Sequence, residues 1–387
     1  MKKLIKKSIG ILCLLTAISF SQCASVTQNQ TDIGDESPLI RVQIGEKWGF
    51  IDAEGHYIIN PIYDDANGFW NGLAGVKIDD KWGFINEDGE MVIKPQFDEV
   101  YGFNNWLAGV EVNGKLSFIN KKGEFVTEPQ FDDVDYYDSK LFAFQLNEKW
   151  GFINEKGKIV IKPQFDYVSN FSEGLASVGI NGKSGFIDEN GKIVIEPQFD
   201  YANDFSEGLA RIRVNYKYGF IDKKGKVVIE PQFDYEVYDS HSRIFTNGLA
   251  CVKVNDKYGF IDKNGHYVIN PQFSRTWGFS EGLASVSYDG NFGYIDEKGK
   301  IVIELQFVWA ESFRYGMAVV SPTEWWSGSR GVIDRAGNYI IQPKYYDIFI
   351  VKGVIFAKEE RNGLFGILDK NGKWIAFPQF NRVDRFF

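Results

Sequence analysis

The chain has 387 residues, 44% hydrophobic and 25% charged, with 33 Phe, 19 Tyr, 10 Trp and 40 Gly. That is the composition of a folded soluble protein built from short strands and tight turns. A formal net charge of −9 argues against nucleic acid as a partner, because an acidic surface repels a phosphate backbone.

The first residues differ from the rest. Lys2, Lys3, Lys6 and Lys7 form a basic head, and Ile9 to Phe20 is an apolar run of 12 residues. A spanning helix needs ~20, so residues 1–22 read as a secretory signal peptide. Cys23 stands where a lipoprotein signal places its acylated cysteine and is the expected lipidation site, with plain cleavage between Ser21 and Ser25 as the alternative. Residues 23–38 hold little that can pack and read as a disordered tether. Loss of residues 1–22 removes four Lys and no acid, moving the net charge from −9 to −13. Cys13 leaves with this segment and Cys251 stands alone, so there is no disulfide framework and stability must come from packing.

Residues 39–387 repeat one unit ten times. The glycine of a W-G pair, or its equivalent, falls at Gly49, Gly83, Ser117, Gly151, Gly185, Gly219, Gly259, Gly293, Gly331 and Gly366. Six of the nine spacings are 34 residues, and the others are 40, 38 and 35. Twelve residues further on comes Pro61, Pro95, Pro129, Pro163, Pro197, Pro231, Pro271, Leu305, Pro343 or Pro378. The pattern K-W/Y-G-F-I-D/N-x-x-G-x-x-V-I-x-P-Q-F-D, followed by F-S-E-G-L-A-x-V, resembles the WG-repeat (KWG-repeat) family of bacterial proteins. The copies that begin at Lys115, Lys183 and Ser329 lack the Trp. The resemblance implies a β-rich repeat fold and often an exported protein. It implies no activity.

Within a unit the elements follow from local chemistry. In Gly174 to Phe199, LASVGI is a strand and Asn181-Gly182 is a two-residue hairpin turn, whose central positions both need positive φ. KSGFID is the second strand, and Asp188 to Gly191 suits a type I turn. KIVIE is the third strand, and Pro197, unable to donate a ladder hydrogen bond, is expected to end the pairing. Strands two and three are apolar on both faces, so neighbouring units must cover them. The glycine after each Trp then reads as room for an aromatic ring.

The expected fold is all-β: tandem three-stranded antiparallel meanders in an open twisted β-solenoid, with a closed β-propeller-like ring as the alternative. The open form is favoured because propellers usually have four to eight blades of four strands. Nothing in the strand order suggests that the N-terminus completes the last blade.

Motifs that could carry chemistry are weak. Gly278 to Gly282 matches G-x-S-x-G, but that motif needs a later His, and the three histidines, His56, His241 and His266, all precede Ser280. His56 and His266 share one repeat position beside a turn glycine and read as exposed turn residues. The D/N-x-x-G turns offer one carboxylate each, Asn86, Asn120 and Asn154 offer none, and a calcium loop gathers several. Asp98, Asp132, Asp166, Asp200 and Asp234 follow P-Q-F once per unit, and Glu173, Glu207 and Glu281 precede G-L-A. A role repeated that often fits turn capping better than catalysis. No P-loop or dinucleotide fingerprint is present. The reading therefore holds no catalytic residue, no metal and no cofactor.

Departures from the repeat carry more information. Ser321 to Gly331 lengthens one hairpin and includes Trp325 and Trp326, while Trp70, Trp106, Trp277 and Trp309 lie in linking segments. Exposed indoles meet partners or fold back. These six are the candidate ligand-binding residues, and a second insertion spans Glu236 to Arg243. The expected function is a non-catalytic exported scaffold that binds proteins or cell-envelope components. It would sit in the periplasm or at the cell surface and meet the membrane only through Cys23. Glycan binding through the off-consensus tryptophans is the alternative.

Overall fold

The computed structural model describes residues 37–135, 140–234, 245–323 and 329–385. Cys23, Trp325, Trp326 and the insertion from Glu236 to Arg243 lie outside the described residues. Those described form strands, turns and bends with no helix.

The first unit supplies β1 (Ile40–Ile44), β2 (Lys47–Ile51) and β3 (Tyr57–Tyr63). The second supplies β4 (Asp65–Trp70), β5 (Leu73–Ile78), β6 (Lys81–Asn86) and β7 (Met91–Phe97), paired in that order. A unit thus has four strands, not the expected three. The additional one comes from the link, where Ala66 and Phe69 are buried and the chain pairs Asp65 with Lys77 and Ala66 with Val76. Among the described residues eight of the ten sheets have four strands and two have three.

The turns follow the sequence. Asn181 and Gly182 have φ of 52° and 75°, as a primed hairpin turn requires. In the Asp188 turn Gly191 N–H donates to Asp188 O at 2.9 Å, and the Asp188 carboxylate accepts from the N–H groups of Asn190 and Lys192.

The expected open array is overturned at its ends. Arg382–Val383 pairs antiparallel with β1, matching Val42 to Val383 and Gln43 to Arg382. The first sheet therefore reads β3-β2-β1 followed by this closing strand. The C-terminal strand stands in the place that the link strand fills elsewhere, so the first unit borrows from the far end what it lacks. Arg41 Nη2 lies 2.5 Å from Asp384 Oδ2, and Lys352 Nζ reaches Ser37 O and Leu39 O at 2.6 and 3.0 Å. Ile40, Val42 and Ile51 share one core with Phe349, Phe356 and Phe380 of the tenth unit. Ten sheets close into a ring, the arrangement of a β-propeller, and each unit is a blade.

Blades hold one another through faces that are apolar on both sides. A typical core joins Phe186, Ile195 and Phe199 of blade 5 to Ala202, Phe205 and Ile212 of blade 6. The Phe of each G-F-I meets the Phe of the next link: Phe50 and Phe69 at 4.8 Å, Phe84 and Phe103 at 4.9 Å, Phe260 and Phe279 at 4.6 Å between ring centroids. Such tilted pairs add ~0.5–1.5 kcal/mol each beyond the area they bury. The fourth strand of each blade is the most exposed: Met91, Val92 and Lys94 of β7 face solvent while β6 is buried from Trp82 to Ile85. It forms the rim, and the first strand lies toward the axis.

The glycine after Trp makes room for backbone, not for a ring. A Cβ on Gly185 would sit 2.5 Å from Ile195 O and 2.6 Å from Pro197 N, far inside contact distance. Pairing across it runs Ser184 to Phe199 and then Phe186 to Ile195, with a bulge between. Pro197 therefore occupies a bulge and does not end the strand as expected. A bulged residue is left out of the ladder, so the missing N–H costs no bond.

Candidate binding faces

In a four-stranded antiparallel blade the loops between strands one and two and between three and four emerge at one end. The hairpin between two and three and the crossover to the next blade emerge at the other. The first end carries the F-S-E-G and D-x-x-G segments and is called here the link face. The second carries the Asn-Gly hairpins and the P-Q-F-D crossovers and is called the crossover face.

On the crossover face the repeated aspartates clamp neighbours. Asp200 Oδ1 lies 2.7 Å from Lys183 Nζ of blade 5, and its Oδ2 accepts from Asn215 N–H of blade 6 at 2.8 Å. Lys81, Lys115, Lys149 and Lys217 treat Asp98, Asp132, Asp166 and Asp234 alike, and Asn113, Asn147, Asn181 and Asn255 supply the N–H groups. The lysine hydrogen bond holds each of these carboxyls below its ordinary value of 3.8. The expected turn-capping role is what they perform, with a bridge between blades added.

On the link face the glutamates do the same. Glu173 accepts from Gly208 N–H and pairs with Lys223 at 3.0 Å. Glu207 accepts from Gly248 N–H and pairs with Lys263 at 2.9 Å, and Glu281 accepts from Gly316 N–H. Ser280 is buried and donates to Phe313 O at 2.7 Å, as Ser172 donates to Phe205 O. The G-x-S-x-G match is thus one more link between blades. His56 Nδ1 contacts Asp52 Oδ2 at 3.0 Å and His266 Nδ1 contacts Asp262 Oδ2 at 3.3 Å. Asp52, Glu54 and His56 bring three potential ligand atoms within 4.8 Å, and the Asp52 carboxylate there already accepts from the N–H groups of Glu54 and His56.

The tryptophans do not share one face. Trp70 and Trp106, 39% and 64% exposed, end up on link-face loops of the adjacent blades 2 and 3. Trp70 leans on the next blade, where a Cβ on Gly102 would meet its Cδ1 at 2.9 Å. Tyr315, 51% exposed, occupies the same kind of loop in blade 9. Trp277 and Trp309 instead lie half-buried between blades 8 and 9 with ring centroids 5.2 Å apart, and Trp277 Nε1 donates to Ala310 O at 2.8 Å.

A second departure went unread in the sequence. At the position where other blades set Trp48, Trp82 or Tyr218 against a neighbour, blade 9 has Arg330, 6% exposed. Asp347 of blade 10, 7% exposed, receives Arg330 through Oδ1 and Arg385 through Oδ2. Glu311 stands close by, and burial pushes its carboxyl above its ordinary value against the pull of Arg314, Arg330 and Arg385. The signal in the sequence was a charge at a position that otherwise holds an aromatic residue, Leu116 or Ser184.

A closed ring of small antiparallel sheets with loops at both ends defines a β-propeller. The chain belongs to the family of WG containing repeat proteins, whose model matches residues 48–82, 82–115, 117–150, 150–183, 185–218, 218–258, 258–292, 292–321 and 331–362. No curated protein matches the sequence. Among solved structures, the chain is similar to a crystal structure of a eukaryotic initiation factor at 12% identity and a TM-score of 0.51, covering 84% of this chain and 100% of that one. This likeness shows the fold alone. Kluyveromyces lactis Hsv2p matches at 11% identity and a TM-score of 0.32, over 51% of this chain and 72% of its own. Virginiamycin B lyase of Staphylococcus aureus matches at 14% and 0.30, over 71% and 96%.

Proposed function

We propose that the chain is an exported, non-catalytic ring scaffold that binds a protein or a cell-envelope component on its link face. The observation that carries this reading is a division of labour. The repeated Asp, Glu, Lys and Ser side chains are spent on joining blades, whereas Trp70, Trp106 and Tyr315 break the repeat and stay exposed on one face. Exposed rings at fixed positions on a stiff support are the usual anchors of an interface. The test is a pull-down from envelope extract with the chain from Cys23 onward. Recovery of a partner by wild type but not by a Trp70→Ala, Trp106→Ala, Tyr315→Ala variant supports the reading. Equal recovery by both sinks it.

Glycan binding is the second reading, favoured by the placement of Trp70 and Trp106 on neighbouring blades. It predicts a change in Trp fluorescence with cell-wall sugars that the same variant loses. Membrane attachment through Cys23 is separate, and incorporation of a labelled fatty acid that a Cys23→Ser chain loses would support it.

A further inference from the structure

The outer strands of blades 1 and 10 lie side by side at the joint where the ring closes. Tyr57 of β3 donates its hydroxyl to Gln379 Oε1 of the blade 10 rim strand (Trp374–Phe380) at 3.1 Å, and its ring centroid lies 6.5 Å from that of Phe380. A Cβ on Gly55, just before β3, would sit 2.9 Å from Ala376 Cβ. Beside this contact stand Ile58 and Ile62 of blade 1, 47% and 60% exposed, and Ile375 and Phe377 of blade 10, 48% and 74% exposed. Among the described residues only four large hydrophobic side chains are 60% exposed or more, Ile62, Trp106, Tyr216 and Phe377. Two of the four belong to this patch.

Their positions are polar elsewhere in the repeat. Where blade 1 has Ile62, eight blades have Gln and blade 9 has Lys344. Where blade 10 has Phe377, the other nine have Lys, Glu, Asn or Gln. Polar and charged side chains on an outer strand keep sheet edges from pairing with other chains. That protection is withdrawn twice, on neighbouring blades, so the two losses make one patch. The charges flanking it differ in sign. At the link-face end the turn of blade 1 carries Asp52 and exposed Glu54 with no Lys or Arg, whereas the turn of blade 10 carries exposed Lys370 and Lys373 against Asp369.

We propose that this patch docks a second copy of the chain, the two rings lying edge to edge about a two-fold axis parallel to the ring axes. Such an axis sets blade 1 of each copy against blade 10 of the other, with their link-face ends together, and so uses one self-complementary surface twice. Phe377 of each ring packs on Ile58 and Ile62 of the other, and the acidic turn of blade 1 meets the basic turn of blade 10. Each ring then spans the joint of its partner from outside, bracing a closure that pairs Val42 with Val383 and Gln43 with Arg382 within the sheet. Four partly exposed side chains fall short of a standard interface, about 800 Å² per partner, so a dissociation constant in the micromolar range is expected. The patch lies on the rim and does not rest on the reading of the link face.

Sedimentation velocity of the full chain under reducing conditions, across roughly 1–100 μM, tests it. A reversible equilibrium between monomer and dimer is expected. Phe377→Glu and Ile62→Gln each install a residue that other blades carry at that position, so both should fold as wild type does. Each should raise the dissociation constant about tenfold, whereas Val194→Gln, on the rim of blade 5, should leave it unchanged. Glu54→Lys should weaken the dimer severalfold, and adding Lys370→Glu to the same chain should restore it. Three results would each overturn the proposal: a chain that stays monomeric throughout the range, a dimer indifferent to Phe377→Glu, as association through residues 9–20 would be, or a double swap that fails to restore affinity.

Discussion

Blades 3 and 5 descend from the same pattern, yet only blade 5 builds a rim strand. In blade 5, Ser184 and Phe186 flank Gly185, and Ile193–Phe199 pairs along Lys183–Asp188. In blade 3, Ser117 replaces the glycine, and residues 121–131 form no continuous ladder with their neighbour, pairing as isolated bridges at Leu116–Phe131 and Ile119–Phe125. The serine is fully buried and donates to Thr127 O, while Thr127 Oγ1 accepts from Phe118 N–H at 3.1 Å. Thr127 stands where blade 5 has Ile195. With the Thr127 hydroxyl turned to the serine, Val126 joins Thr127 against the next blade: a Cβ on Gly157 would meet Val126 O and Cγ1 and Thr127 Cγ2, where Gly191 meets Ile161 alone. One added side chain has displaced the middle of the outer segment, where blade 5 pairs Phe186 with Ile195, while the bridges at either end keep the register of blade 5. The glycine is therefore the seat of the rim strand.

Gly185→Val should have the largest effect, because its Cβ would sit 2.5 Å from Ile195 O. A loss of about 3–4 kcal/mol is expected, read as a lower urea midpoint with faster amide exchange in residues 193–199. An unchanged midpoint would break the comparison. Ser117→Gly should cost about 1 kcal/mol, since it leaves Thr127 without its buried partner. Adding Thr127→Ile in that background should restore the loss and slow exchange across residues 125–131. If exchange there stays fast, the glycine is not sufficient to seat the strand.

Asp234→Asn should cost less than about 1 kcal/mol, as expected of an ion pair at the surface. The pH dependence follows from the sign of the shifts. The crossover aspartates are held below 3.8 by their lysines, so their contribution is fully present above the ordinary value and is lost as pH falls through the lowered one. Blades 3 and 5 share this clamp through Asp132 and Asp200. Acid sensitivity below about pH 4 should therefore fall by similar small amounts in Asp132→Asn and Asp200→Asn, as measured by thermal unfolding across that range. A much larger change in one would show that the rim strand and the clamp are coupled.

The repeat, its two turns and its middle strands were legible in the sequence because each rests on contacts a few residues apart. Asn181-Gly182 and Asp188 to Gly191 carry their own backbone geometry. The link strand was missed because its two buried residues, Ala66 and Phe69, are separated by a bulge and give no simple alternation. Closure was missed because it joins Val42 to Val383, a pairing that no local pattern announces. Trp70 and Trp106 stood out as departures from the repeat, but nothing local told exposure from packing between units. The burial of Trp277 against Trp309 depends on two blades meeting, and so does the charged cluster, where each of Arg330, Asp347 and Arg385 comes from a different blade.

The closing strand also sets an order of assembly. A chain made from its N-terminus presents β1 with an open edge through the synthesis of nine further blades, until Arg382 and Val383 arrive to cover it. That edge would accept the same two residues from a second chain as readily as from its own. Crowded nascent copies would then exchange tails and form linked rings, a hazard built into any circular fold whose first blade waits for its last strand.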